Sequence, residues 1–234
     1  MNARDNLIAV IEKVKGAVRD RDRFEAEMER KLGRAWAEQR KELMRLLGDP
    51  PNMANVPESY WNNGYQVIRR AVASVFEEIY LSQEMAFAEA ARIGIDWTLA
   101  NKQAADWAYR FAGELSNTLN DTTRNAVADY VGKFFDRGWT MDELASRIND
   151  VVFSQARSRA IAITETTRAA TQAELATVNY YEATYGVKYK PFWETVLDDA
   201  VCDICGPKHG KEITDGEYPP AHVNCRCEVN WVIQ

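Results

Sequence analysis

All four cysteines of the 234-residue chain fall in its last 42 residues, from Trp193 to Gln234. They form two close pairs. Cys202 and Cys205 are separated by two residues, Cys225 and Cys227 by one, and His222 stands three positions before Cys225. The pattern is Cys-x2-Cys, sixteen residues, then His-x2-Cys-x-Cys. Thiolate and imidazole at this spacing make the ligand set of a structural, tetrahedral zinc site. Two residues between thiolates allow a tight turn that lets both sulfurs reach one ion. Gly206 and Pro207 supply turn residues after the first pair, and Pro219 and Pro220 stiffen the approach to His222. Five donors compete for four positions. Cys202, Cys205 and Cys225 are assigned to the ion, and His222 against Cys227 stays open. His209 is a weaker candidate.

Other readings of the cysteines compete with structural zinc. Two disulfides fit an even count but belong to small secreted scaffolds, which this chain does not resemble in size or composition. Four ordinary reduced thiols would not need to cluster with a histidine. A catalytic metal would keep an open position beside an acid or base. The zinc is therefore expected to be structural.

Outside the tail, Thr164-Glu165-Thr166-Thr167-Arg168 interrupts a run rich in alanine and isoleucine. Glu165 and Arg168 lie three apart and can pair on one helix face, with Arg157 two turns earlier as a third member. We read the pair as a polar clasp between this helix and the zinc module, in preference to Glu165 as an acid or base. Asp198 and Asp199 read as a solvated turn rather than a second cation site. A metal-dependent hydrolase using Glu165 or Asp199 is the enzymatic alternative. No serine–histidine–aspartate or cysteine–histidine set is evident, and two histidines leave little material for acid–base work. The chain is expected not to be an enzyme and to have no small-molecule substrate.

Composition agrees with a soluble globular protein: 27% charged and 46% hydrophobic residues, with no apolar run long enough to span a bilayer. Charges at Glu12, Lys13 and Lys15 argue against a secretory signal, so a reducing compartment and no membrane are expected. The net charge of −6 does not favour indiscriminate nucleic-acid binding. Residues 1–48 nevertheless carry twelve Lys/Arg against nine Asp/Glu. That basic arm is read as a solvated helix face, with contact to DNA as the alternative.

The elements that must position these groups are mostly helices. Residues 5–47 carry an apolar stripe from Leu7 to Leu47, with a phase slip near Arg19–Arg23, and Gly48, Pro50 and Pro51 stop it. Pro57 opens a second helix bearing Trp61, Tyr65, Ile68, Val72, Val75, Ile79 and Tyr80, broken at Gly94. A third is expected from Leu99 to Leu119 with Trp107, Phe111 and Leu115 on its apolar face. Asn120 or Asp121 would cap a fourth that runs to Arg137. Thr140-Met141-Asp142-Glu143 is a capping-box sequence, and a last helix spans about 154–184. Stripes at helical spacing mean core rather than ligand pocket. After Gly186, residues 187–196 and the alternation of Cys227, Val229, Trp231 and Ile233 predict two short strands. The expected fold is mainly α, with long helices followed by a small C-terminal β subdomain built as a zinc knuckle. Its divisions are a helical arm at 1–48, a helical domain at 57–186 and the β subdomain at 187–234.

Several of these stretches share an order with a known family. Ala104-Ala105-Asp106-Trp107-Ala108, Asn120-Asp121-Thr122-Thr123-Arg124, and Gly138-Trp139-Thr140 with Glu143-Leu144 resemble the Mu F-type phage head morphogenesis (minor head, or minor capsid) proteins. Thr164 to Ala169 resembles the family's helix motif. Trp193, Asp198, Cys202, Cys205, Gly210, His222, Cys225, Arg226 and Cys227 resemble its C-terminal module in order and spacing. The resemblance covers roughly residues 100–227. It departs at Val223, where the family often has proline after the histidine. It implies a minor structural protein of a tailed-phage head, located in the virion at the head interior or portal region and in the host cytoplasm during assembly. Portal and capsid proteins would be its partners, and some family members are proposed to assist packaging or ejection of phage DNA. Some also carry a toxin domain after this module; with seven residues following Cys227, none is expected here.

Overall fold

The computed structural model describes residues 20–91, 97–195 and 201–234. These form helices α1 (Arg21–Leu47), α2 (Glu58–Ala91), α3 (Trp97–Arg137), α4 (Met141–Val151) and α5 (Gln155–Tyr185), then strands β1 (Tyr189–Glu194) and β2 (Glu228–Ile233). Single 3-10 turns lie at Met53–Asn55 and Gly206–Lys208. The fold is mainly α with a small C-terminal sheet, as the sequence led us to expect.

Helix α1 follows its apolar stripe. Phe24, Met28, Leu32, Trp36, Leu43 and Leu47 are all fully buried. It ends where Gly48 takes φ +77°, a left-handed conformation that glycine adopts without the Cβ clash of other residues. The part of the expected first helix before residue 20, with Leu7, Ile11, Val14 and Val18, lies outside the described residues. So does the break expected at Gly94. In α2, Trp61, Ile68, Val72, Val75, Ile79 and Tyr80 are buried as expected.

Helix α3 corrects the reading of its segment. The expected cap at Asn120 or Asp121 is absent, and one helix of 41 residues runs through. The hydroxyls of Thr122 and Thr123 donate to the Leu119 carbonyl at 3.0 and 2.7 Å. Polar side chains that satisfy themselves against the preceding turn need not end a helix. Leu119, Thr123, Val127 and Val131 then continue one buried row at spacings of four. The aromatic face is also displaced from expectation. Ala104, Ala108, Ala112 and Ser116 form the buried seam, while Trp107 and Phe111 stack on each other beside it, 5.0 Å between ring centroids and only half-buried.

Thr140 opens α4 with a complete capping box: its hydroxyl accepts from the Glu143 N–H, and the Glu143 carboxylate accepts from the Thr140 N–H at 2.8 Å. Leu144 and Ile148 are the residues this helix buries. Replacing Thr140 with alanine leaves helix N–H groups without that acceptor, and a loss of about 1 kcal/mol is expected. Urea unfolding of the two proteins checks this.

The chain divides into two compact units. One comprises Ala26–Val75 and Trp107–Arg159. Within it, the Arg157 guanidinium does work the sequence did not suggest. Instead of joining Glu165, it donates to Thr123 Oγ1 (3.0 Å), Thr122 Oγ1 (2.9 Å) and the Val152 carbonyl (2.6 Å), and lies over the Trp36 ring. Burial among neutral acceptors lowers its pKa; the carbonyl and hydroxyl oxygens compensate part of that desolvation.

The other unit gathers the described residues up to Glu25, Phe76–Asp106 and Ala160–Gln234. Here β1 and β2 pair antiparallel, Tyr189 opposite Ile233 and Glu194 opposite Glu228. Two strands alone are marginal in water. The free edge of β1 is therefore covered by the stretch 210–213: Trp193 N–H donates to the Lys211 carbonyl, Gly210 N–H to the Trp193 carbonyl, and Ile213 N–H to the Pro191 carbonyl. On one side Val178 and Tyr181 of α5 pack with Tyr189, Val229 and Trp231 in a single buried cluster.

Candidate metal centre

The turn that carries the second cysteine pair is built against α5. Asn224 adopts φ +65°, which asparagine tolerates better than most residues, and its N–H donates to Thr164 Oγ1 at 2.9 Å. One helical turn later, Thr167 Oγ1 donates to the Cys225 carbonyl at 2.8 Å. The first cysteine pair forms its own turn, in which Cys205 N–H donates to the Cys202 carbonyl and lies 3.4 Å from Cys202 Sγ.

These turns bring five donor atoms together. Cys202, Cys205 and His222 have ligand atoms within 4.8 Å of one another, as do Cys205, Cys225 and Cys227. His222 Nε2 is 3.0 Å from Cys202 Sγ and 3.1 Å from Cys205 Sγ, and Cys205 Sγ is 3.8 Å from Cys225 Sγ. All four cysteines are free thiols; a disulfide would need sulfurs about 2.05 Å apart. The donor set fits a zinc ion. A tetrahedron with zinc–sulfur bonds of about 2.3 Å has sulfur–sulfur edges of about 3.8 Å, and sulfur–nitrogen edges of about 3.6 Å. The Cys205–Cys225 separation matches the first, and the imidazole contacts lie a little inside the second.

Outer contacts orient the donors. His222 Nδ1 lies 2.7 Å from the Val223 carbonyl, so Nδ1 carries the proton and Nε2 turns its lone pair to the sulfurs. Trp193, only 2% exposed, packs on Cys205, Cys225 and Cys227, with Lys208 Nζ 4.7 Å from its ring centroid. The donors line a cavity of ≈ 210 Å³ together with Arg21, Thr195, Val201, Asn224 and Arg226.

The thiols share protons unevenly among themselves. A hydrogen bond from the Cys227 thiol, aided by backbone N–H groups, holds Cys225 down at about 5 despite its burial. The same hydrogen bond and burial push Cys227 up. Burial pushes Cys205 up to about 12. The Cys205 N–H lowers Cys202, and the Val223 carbonyl raises His222. A thiolate–thiol cluster of this kind accepts a cation and discards protons as it does so.

Two ion pairs that no sequence pattern announced flank the site. Arg21 donates to Glu228 at 2.8 Å and to Thr167 Oγ1 at 3.0 Å, and Arg226 pairs with Glu25. Burial raises the Glu25 pKa, with Arg226 and Arg21 opposing it. Glu165 and Arg168 do pair, at 3.1 Å, with burial raising the Glu165 pKa against the pull of Arg168. The hydrogen bonds from this helix to the cysteine turn come from Thr164 and Thr167. Neither Glu165 nor His209 belongs to the donor groups; His209 Nδ1 instead accepts from the Thr195 N–H at 3.2 Å. Asp198 and Asp199 lie outside the described residues.

Below the site, Trp231 Nε1 donates to Glu174 at 3.3 Å. Burial raises Glu174 to about 8, with Glu228 adding to the rise and Arg21 opposing it. A carboxyl raised in the fold holds its proton where the unfolded chain has lost it. Its stabilising contribution is full below about pH 4.5 and is lost as pH climbs through about 8. Glu174→Gln keeps an acceptor for Trp231 and removes the titration. The variant is expected to gain on the order of 1–3 kcal/mol at pH 8 and nothing at pH 4, read from denaturation midpoints across that range.

Comparison with known proteins gives one family. Residues 125–230 match the family model described as Phage Mu protein F like protein. No curated protein and no solved structure matches the chain. The matched stretch contains the C-terminal third of α3, all of α4 and α5, β1, and every donor of the candidate metal centre. Among the described residues no helix is long and apolar enough to cross a membrane.

Proposed function

We propose, from the premise that residues 125–230 belong to the Phage Mu F-like family, that the chain is a non-enzymatic minor head protein of a tailed phage. Its partners are portal and capsid proteins, and its place is the head interior or portal region of the virion. The Cys/His cluster is its structural zinc site, a fastening that holds the β subdomain to α5. The observation that carries this is the coincidence of two independent results. The family match spans the donor cluster, and that cluster offers five Cys/His donors, enough to fill four positions, with His222 oriented by an outer hydrogen bond, which supports a structural rather than a catalytic ion. Glu165 supports the same reading, because its carboxylate is committed to Arg168.

The test is purification of proheads and mature particles from infected cells, followed by protein identification. The chain is expected to co-purify with portal and capsid subunits. Its consistent absence from both particle types would overturn the assignment.

A further inference from the structure

The sequence left five donors for four positions, and the geometry separates them. Resting on the zinc reading above, we infer that the ion is held by Cys202, Cys205, His222 and Cys225, and that Cys227 is a thiol of the surrounding shell rather than a ligand.

His222 is built as a ligand. One ring nitrogen is committed to the Val223 carbonyl at 2.7 Å, and the other lies within 3.1 Å of two sulfurs. A merely solvated histidine on this turn would face water, since Val223 beside it is 65% exposed. Cys202 and Cys205 are fixed as ligands by that same contact.

The fourth position falls to one of the Cys-x-Cys pair. Cys225 Sγ reaches Cys205 Sγ at 3.8 Å, the edge of a zinc–thiolate tetrahedron. Its backbone also closes the turn that follows the histidine: its N–H donates to the His222 carbonyl at 3.2 Å. Cys227 is placed by different constraints. It immediately precedes β2, whose register against β1 is set by Glu228 opposite Glu194. Its buried side chain packs in the cluster with Trp193, Cys205 and Cys225. Cys227 thus lines the same cavity beside Cys225, held there by the strand, and its thiol is placed to donate a hydrogen bond to the ligand thiolate.

X-ray absorption at the zinc edge, on the full chain purified without chelator, decides the point. The expected spectrum has three sulfurs at about 2.3 Å and one nitrogen at about 2.0–2.1 Å. Cys227→Ser is expected to retain one zinc per chain and the same spectrum, with affinity weakened by about 10–100-fold as for an outer-shell change. His222→Ala is expected to lose the nitrogen. Four sulfurs and no nitrogen in the unaltered protein would overturn the ligand set, even if neither variant folds. Loss of one sulfur from the spectrum of Cys227→Ser would overturn it equally. If the chain carries no zinc and takes up none, the zinc reading fails first, and metal analysis alone records that failure separately.

Discussion

Cys225→Ser is expected to strip the zinc and release the C-terminal module while most of the helical signal in circular dichroism survives. Metal binding contributes on the order of 10–16 kcal/mol in small zinc modules, far more than the two strands can supply from pairing alone. The turn at Asn224 and Cys225 is also where α5 is hydrogen-bonded through Thr164 and Thr167. Losing the ion therefore loosens the cysteine turn from the helix that anchors it, leaving the buried cluster around Val178 and Tyr181 as the remaining tie to α5. Limited trypsin digestion, with cleavage at Lys208, Lys211 and Arg226 as the readout, should be slow for the zinc-loaded chain and fast for the variant. Equal rates would remove the ion from any structural role. The same loss should follow acidification. The ligands bind zinc deprotonated, so falling pH sets protons against the metal, and occupancy declines on the acid side. Because burial holds the Cys205 proton up to about 12, zinc uptake at neutral pH should release protons, which calorimetry in buffers of different ionisation enthalpy measures directly.

The second large effect is expected at Trp193. Its indole is almost wholly buried, sits in β1 and floors the thiol cluster. Trp193→Ala leaves a cavity under the sulfurs at a strand position that faces Val229 on one side and is hydrogen-bonded through its main chain to Gly210 and Lys211 on the other. A loss of about 3–5 kcal/mol is expected from truncating a large buried aromatic. Zinc affinity should fall with it, by about 10–100-fold, because the donors lose the wall that orients them. Trp193→Phe keeps most of the packing and should recover most of both. Unfolding curves and a competition titration against a colorimetric chelator give the two quantities, and unchanged affinity in Trp193→Ala would show that the wall is not needed.

Local signals in the sequence were read well where the chemistry is local. The Cys-x2-Cys and His-x2-Cys-x-Cys spacings brought their donors together because each pair is closed by a single turn. Gly48, Pro57 and the Thr140 box bounded helices by their own backbone requirements. The failures came where a side chain found a partner that sequence order hides. Asn120 and Asp121 looked like a cap, but the next two threonines bond back to Leu119 and Arg157 bonds to both of them, so the helix continues. The aromatic face of α3 yielded the core to a seam of alanines, where small side chains let neighbouring elements approach. In the Thr164–Arg168 motif the charges are the conspicuous feature, yet the threonines hold the cysteine turn. Arg21 with Glu228 and Arg226 with Glu25 could not have been read at all, since no periodicity links residues so far apart.

The Arg21–Glu228 pair spans 207 positions, and that separation governs when the unit can be completed. A ribosome delivers Arg21 early and Glu228 about 200 residues later, at roughly 5–20 residues per second. Throughout that interval Arg21 lacks its carboxylate partner and Glu25 lacks Arg226, and Thr167 once made waits for the Cys225 carbonyl. Closing so long a loop carries an entropic penalty that grows only slowly with length, about 0.6 kcal/mol per doubling. The delay is thus a matter of order rather than of energy. Helices with local contacts can form during synthesis, and the module that joins both distant ends of the described chain forms after it. On the zinc reading proposed above, metal supply at that late moment, rather than helix formation, is expected to set how much newly made protein reaches its finished state.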